Sequence, residues 1–233
     1  MVDGRPTHFE VVVRQFSGGD SLEELVGLLH RAYQVYIEQG LDFAATRQTV
    51  AETAARMAKG ECWVAFVDGR LVATRTLYPP GTRSSYVWYD HPKVAWTAQA
   101  AVEPEFQGSN VFGELALATE ARARQLGASE LACDTSDRAV ERIAKLEASG
   151  YRLVDYTYWG KTNYRSAVFS KQLGDERVEI PWQRRAWSRL RALQRRARGR
   201  YLVPLRAAVR RRLSDMRNLT KPPRRQDQRL EDE

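Results

Sequence analysis

Residues 62–78, CWVAFV followed by Asp68-Gly69 and RLVATRTLY, constrain the fold more than any other stretch of the chain. Two apolar, β-branched runs flank a two-residue turn whose glycine accepts the positive φ that a tight hairpin demands. Two adjacent antiparallel strands follow, and the rest of the chain has to be arranged around a sheet.

The surrounding periodicities supply the remaining elements. FEVVVRQF at 9–16 alternates as a strand and is ended by Gly18 and Gly19. Ser21 with Glu24 three residues on is a capping-box pattern, after which Leu22, Leu25, Leu28, Leu29, Ala32, Tyr33 and Tyr36 recur at helical spacing up to Gly40. A second, alanine-rich helix is predicted over 46–58 and stopped by Gly60. Residues 79–93 hold three prolines with Tyr86, Trp88, Tyr89, Asp90 and His91, and read as a loop or irregular strand with an aromatic surface. A strand at 94–102, a helix at 111–126, a strand at 129–134, a helix at 137–148 and strands at 151–159 and 165–173 complete the order β-α-α-β-β-β-α-β-α-β-β. This is a mixed α/β fold, and 233 residues suffice for one domain with an appendage.

The net charge of +8 is unevenly placed: the chain carries −4 before residue 181 and +12 from there on. The boundaries expected from this shift are a catalytic domain at 1–174, a basic helical extension at 175–218 and a disordered tail at 219–233. In the extension Trp182, Ala186, Leu190, Leu193, Ala197 and Tyr201 form one apolar face among arginines. Pro204 suits the first turn of a second helix whose stripe is Leu205, Ala208, Val209, Leu213 and Met216. Three uses of this extension are open: packing its stripe on the catalytic domain, lying on an anionic membrane surface, or binding RNA or another acidic partner. No apolar run reaches the roughly 18 residues of a membrane span, and the N-terminus has no secretory pattern. The expected location is cytoplasmic, peripheral to the inner face of the membrane if the extension docks there. Cys62 and Cys133 lie in apolar strand-like runs without metal-ligand spacing, so they are read as small buried hydrophobes and no metal is expected.

The stretch VEPEFQGSNVFGELALATEARARQLG at 102–127 is where chemistry is best placed. A strand that stops at a proline, a short glycine-bearing turn and a helix with unpaired first-turn N–H groups together make an anion site. The alternative is a plain connection that needs Gly108 only for its backbone.

Residues 9–173 resemble the GNAT superfamily of N-acetyltransferases, in element order and in the pattern V-x-P-x-[YF]-[QR]-G-x-[GN], present as Val102, Pro104, Phe106, Gln107, Gly108 and Asn110. The resemblance implies that the fourth strand parts from the fifth and that the pantetheine of acetyl-CoA, or another acyl-CoA, lies in the gap as co-substrate. It implies a pyrophosphate held by backbone amides of Gln107, Gly108, Ser109, Asn110, Val111, Phe112 and Gly113, with Ala101 and Val102 at the strand end beside it. Two positions depart from the pattern. Asn110 stands where glycine is usual, which its tolerance of left-handed conformations permits. Phe112 stands where glycine or alanine is usual.

A second block, 134–154, resembles the family segment that ends in Tyr-x-x-x-Gly-[FY]. Gly150 and Tyr151 match, but Leu146 occupies the place of the tyrosine that many members use to protonate the departing thiolate. The implied reaction is transfer of an acetyl or other acyl group to an amine of a small molecule by direct attack in a ternary complex. Longer acyl chains, delivered by acyl-CoA or acyl carrier protein, and a non-catalytic acyl-CoA-binding role are the alternatives.

Attack requires a neutral amine, so a base must accept its proton. Asp134, at the end of the fifth strand, is the first candidate for base or acceptor anchor, with capping of the next helix as its structural alternative. Gln99, Asp90 and His91 are candidates for contacting the acceptor, while His8 and His30 read as structural. Among Tyr33, Tyr36, Trp63, Trp88, Tyr156 and Trp159, two or three are expected to line the acceptor pocket.

Overall fold

The computed structural model describes residues 8–160 and 162–197. The expected second helix of the extension and the tail at 219–233 lie outside the described residues.

The elements follow the expected order: β1 (Val12–Gln15), α1 (Leu22–Glu38), a 3-10 turn (Ala44–Thr46), α2 (Val50–Met57), β2 (Glu61–Val67), β3 (Arg70–Tyr78) and β4 (Val94–Val102). A second 3-10 turn (Pro104–Phe106) leads to α3 (Val111–Gln125), β5 (Glu130–Ser136), α4 (Val140–Ala148), β6 (Arg152–Thr157), β7 (Ser166–Gln172) and α5 (Trp182–Ala197). The seven strands form one sheet in the order β1-β2-β3-β4-β5-β7-β6. Every neighbouring pair is antiparallel except β4 with β5.

The β2–β3 hairpin closes at Asp68 and Gly69 with φ of 49° and 76°. Both central residues are left-handed, the conformation that matches the twist of the flanking strands. Ser21 caps α1 by accepting the Glu24 N–H at 3.1 Å. The full reciprocal capping box forms at Thr49 and Glu52 instead, which starts α2 at Val50 rather than at Thr46.

Alternation along the strands separates two packed faces. On one, α1 buries Leu25, Leu28, Leu29 and Tyr33 against Cys62, Val64, Leu71 and Ala101. On the other, α3 sets Val111 and Leu115 against Ala65, Val67, Val72 and Ala73.

One expectation is corrected. The 79–93 segment does not present an aromatic surface, because Tyr86, Trp88 and Tyr89 are buried with Val94, Ala132, Val168, Val178 and Ile180. Tyr89 stacks on Trp96 with ring centroids 4.8 Å apart, and Tyr86 meets Tyr89 edge-on at 5.3 Å. The loop is a wall of the core. Of the uses left open for the extension, α5 packs on the domain, through Ser188 and Ala192 rather than through the apolar stripe. Ser188 and Ala192 are buried, while Trp182, Leu190 and Leu193 of the apolar stripe are exposed. Residues before α5 are also tied in, since the Val178 N–H donates to the Glu130 carboxylate at 2.9 Å.

Candidate active site

The parallel pairing of β4 and β5 lasts only three residues, from Val94 opposite Glu130 to Trp96 opposite Ala132. Beyond that point β5 stays paired with β7 as far as Ser136, and β4 continues along β3 to Val102. The two strands therefore diverge and leave backbone edges facing a gap. A cleft of about 1560 Å³ opens there, lined among others by Arg75, Thr97, Gln99, Ala101, Val102, Cys133 and Asp134.

β4 is irregular where it lines this cleft. Ala98 is opposite Thr76 and Ala101 opposite Thr74, so Gln99 and Ala100 together face Arg75 in a β-bulge. Gln99 has φ of 53°, a left-handed conformation that costs a side-chain-bearing residue of order 1–3 kcal/mol and collects at functional sites. Its side chain is buried: Oε1 accepts from Thr76 at 3.0 Å, and Nε2 has no partner among the described residues. The Tyr33 hydroxyl donates to the Ala100 carbonyl at 2.9 Å and fixes the bulge to α1.

The cleft runs to the turn before α3. Gly108 has φ of 83°, and a Cβ built on it would meet nothing within 4 Å. Its backbone is thus open to the cleft. Asn110, expected to tolerate a left-handed conformation, needs none: its φ is −70° and its side chain brackets the Phe9 backbone, accepting the N–H at 2.9 Å and donating to the carbonyl at 3.0 Å. Val111 is buried in the core, and its N–H donates to Ser109 Oγ at 3.3 Å. Neither Asn110 nor Val111 lines the cleft, whereas Ala101, Val102, Gln107, Gly108, Ser109, Phe112 and Gly113 do. The N–H groups of Gly108, Phe112 and Gly113 meet no acceptor among the described residues, so they and the α3 dipole are available to an anion.

Asp134 faces the cleft and is held by neutral donors. Tyr89 donates its hydroxyl to Oδ1 at 2.8 Å, and Trp159 donates Nε1–H to Oδ2 at 2.8 Å. Burial, together with the Asp134 charge, pushes the Tyr89 phenol well above its ordinary range and keeps it a donor. The capping alternative for Asp134 is excluded, because the residue preceding α4 is Ala139 and no side chain caps that helix.

One residue away on β5 the chemistry changes. Cys133 points to the other face, where it packs with Tyr151, Ile143 and Leu146, and burial raises its thiol to about 11. There Arg75 is buried with three hydroxyls as partners: Thr119 at 2.9 Å, Thr97 at 3.3 Å and Tyr151 at 2.9 Å. Its guanidinium also lies 5.7 Å from the Phe112 ring. Burying a cation against neutral groups is costly, and the charge remains available to a negative group in the cleft. Burial pushes the Tyr151 phenol up to about 12, with Arg75 pulling the other way. Tyr151 accordingly stays protonated, and its oxygen already accepts from Arg75.

Asp90 and His91 do not reach this site. Asp90 accepts the Ser84 N–H at 3.2 Å and His91 Nδ1 accepts the Lys93 N–H at 3.2 Å, both within the 79–93 loop. The loop turns its aromatic side inward and these two outward. Of the aromatics singled out, Tyr33, Tyr36 and Trp159 line the cleft, while Trp63, Trp88 and Tyr156 do not. Phe43, Tyr89, Trp96 and Tyr164 line it as well, with Phe43 and Tyr164 only 4.7 Å apart. Sequence reasoning missed Arg75 and Tyr151. An arginine inside an otherwise apolar strand was the one signal that could have found the first.

Comparison with known proteins agrees with this geometry. The sequence model of the acetyltransferase (GNAT) family matches residues 23–147. No curated protein matches by sequence. Among solved structures, an N-acetyltransferase from Staphylococcus aureus Mu50 is 14% identical over 71% of this chain and 99% of its own, with a TM-score of 0.52. The IAA acetyltransferase from Bacillus cereus ATCC 14579 is 17% identical over 70% and 99%, with a TM-score of 0.51. The yncA protein from Salmonella typhimurium, solved with its cofactor acetyl-CoA, is 12% identical over 73% and 98%, with a TM-score of 0.52. At these identities the structures speak for the fold, and the family match covers more than half of the sequence. The chain belongs to the acetyltransferase (GNAT) family.

Proposed function

We propose that the protein transfers an acetyl or other acyl group from acyl-CoA to an amine of a small molecule. The observation that carries this reading is the parting of β4 from β5 after Trp96 and Ala132, which opens a cleft ending at the Gly108 turn and the start of α3. Backbone edges of two strands suit an extended amide-bearing arm, and the free N–H groups of Gly108, Phe112 and Gly113 suit its phosphates. Ala101 and Val102 border the same path.

In this reading the amine attacks the thioester carbonyl directly. A C–N bond forms, the C–S bond breaks, and the sulfur departs with the electron pair. Asp134 takes the proton lost by the amine, because each of its oxygens holds one neutral donor and retains a lone pair. Tyr151 supplies a proton to the sulfur, and Arg75 offsets the charge left on the phenol, which water then reprotonates. Asp134 and Cys133 are successive residues on β5 and point to opposite faces, so base and acid address the gap from opposite sides. The aromatic wall of Tyr33, Tyr36, Phe43 and Tyr164 beside Asp134 would receive the acceptor.

Acetyl-CoA binding by calorimetry, followed by thiol release across a panel of amines, tests the assignment. Micromolar binding and amine-dependent release are expected. Binding without release from any amine would favour a non-catalytic acyl-CoA-binding role, and absence of binding would remove the assignment altogether.

A further inference from the structure

The two sides of α5 are used in opposite ways. One side is fixed to the domain: Ser188 Oγ accepts the Val87 N–H at 3.2 Å, Arg185 donates to the Val154 carbonyl at 3.2 Å, and Arg195 donates to the Ser85 carbonyl at 3.2 Å. Arg189 pairs with the buried carboxylate of Asp155, and Arg196 lies 4.9 Å over the Tyr158 ring. At 3.6 residues per turn, Trp182 falls on the flank beside Arg189, Leu190 on the opposite side, Leu193 on the same flank as Trp182, and Trp187 next to the opposite side. Their exposures are 67%, 44%, 45% and 65%, so four large apolar side chains face outward from one helix. Ordinary solvated faces do not gather tryptophan and leucine in this way.

The charge of the helix identifies what fits. α5 contains six arginines and no acidic residue. Arg184 and Arg191 are exposed beside the apolar face. RNA would draw on the arginines but has no use for a row of leucines, whereas an anionic bilayer takes both. Its headgroups attract the arginines while the tryptophans and leucines enter the interface, and the arginine stems accompany them. We propose that this face of α5 docks the protein on an anionic lipid surface, with the helix lying in the plane of the interface. No helix among the described residues is long and apolar enough to cross a membrane, which accords with docking from one side. Because Arg185, Ser188, Arg189, Arg195 and Arg196 already hold the helix to the domain, docking needs no detachment of the helix.

The test uses the full chain with vesicles of phosphatidylcholine alone and with 30% phosphatidylglycerol, read by co-sedimentation and by tryptophan emission. Binding and a blue shift are expected only with the anionic vesicles. Affinity should fall by roughly tenfold or more between 50 and 500 mM salt as the charges are screened. Changing Leu190 and Leu193 together to serine should weaken vesicle binding by roughly tenfold or more, since the lost apolar area enters the free energy directly. Both positions are nearly half exposed, so the variant should fold, and unchanged acetyl-CoA binding checks this independently of the lipid result. Equal affinity for neutral and anionic vesicles, or no vesicle binding at all, would overturn the proposal. So would vesicle binding indifferent to the leucine pair, or salt-sensitive binding to polyuridylate with none to vesicles.

Discussion

In the proposed reaction, Asp134, Tyr151 and Gly108 each have a distinct part. Asp134 receives hydrogen bonds from Tyr89 and Trp159, and an amide keeps its shape but cannot take a proton. Asp134→Asn should lower turnover by roughly 10²- to 10⁴-fold, the usual worth of general-base assistance. Its melting temperature should stay within a few degrees of the parent. Equal turnover of the two proteins from pH 6 to 9 would return Asp134 to a purely structural role. Tyr151→Phe removes the phenol and leaves Arg75 with Thr97 and Thr119, so turnover should fall by roughly tenfold or more while CoA affinity holds. Because burial pushes the phenol up to about 12, the parent should show no loss of rate from its ionisation up to pH 10. At Gly108 the backbone has φ of 83° and no neighbour within 4 Å of a new Cβ. Gly108→Val therefore strains the turn and also fills the space beside the free amides. CoA affinity should drop by at least tenfold in calorimetry, with circular dichroism unchanged.

At the level of elements, the face of the sheet that carries α3 is held by more than apolar contact. Arg122 on α3 makes paired hydrogen bonds to Glu61 on β2, with Nε to Oε2 at 2.9 Å and Nη2 to Oε1 at 2.8 Å. Those hydrogen bonds hold the Glu61 carboxyl below its ordinary value, against the opposing effect of partial burial. A lowered folded pKa means that the contribution is present above the unfolded value, and it is lost as pH falls through the folded one. Glu61→Gln should thus lower the melting temperature at pH 7. The difference from the parent should shrink as the pH is taken below 4, and a constant offset across that range would show that the pair contributes packing only. The clamp also supports the site, since α3 opens with the turn that presents Gly108, Phe112 and Gly113.

The whole molecule does not end at β7. Val178 and Ile180 are buried with Tyr86, Trp88 and Tyr89, the wall that carries Asp134's hydroxyl partner. Full burial of two such side chains is worth roughly 1.5–3 kcal/mol each, against a typical native stability of about 5–15 kcal/mol. A chain ended at Gly174 should therefore melt at least several degrees lower or aggregate, and acetyl-CoA binding should weaken with it. A truncated domain with the parent's melting temperature would make residues 175–197 a mere appendage. The order of elements, the hairpin at Asp68-Gly69, the turn at Gly108 and the start of α1 at Ser21 were legible in the sequence, because each depends on residues a few positions apart. The partners of Asp134 lie 45 and 25 residues away, and Tyr151 lies 76 residues from Arg75, so no local period could assemble that site. The sequence also marked one apolar face of α5 among its arginines. Periodicity says which residues share a face, but only the tertiary structure decides which face turns inward. Here the side of Ser188 and Ala192 did, with Arg189, Arg195 and Arg185 beside it reaching the Asp155 carboxylate and the carbonyls of Ser85 and Val154.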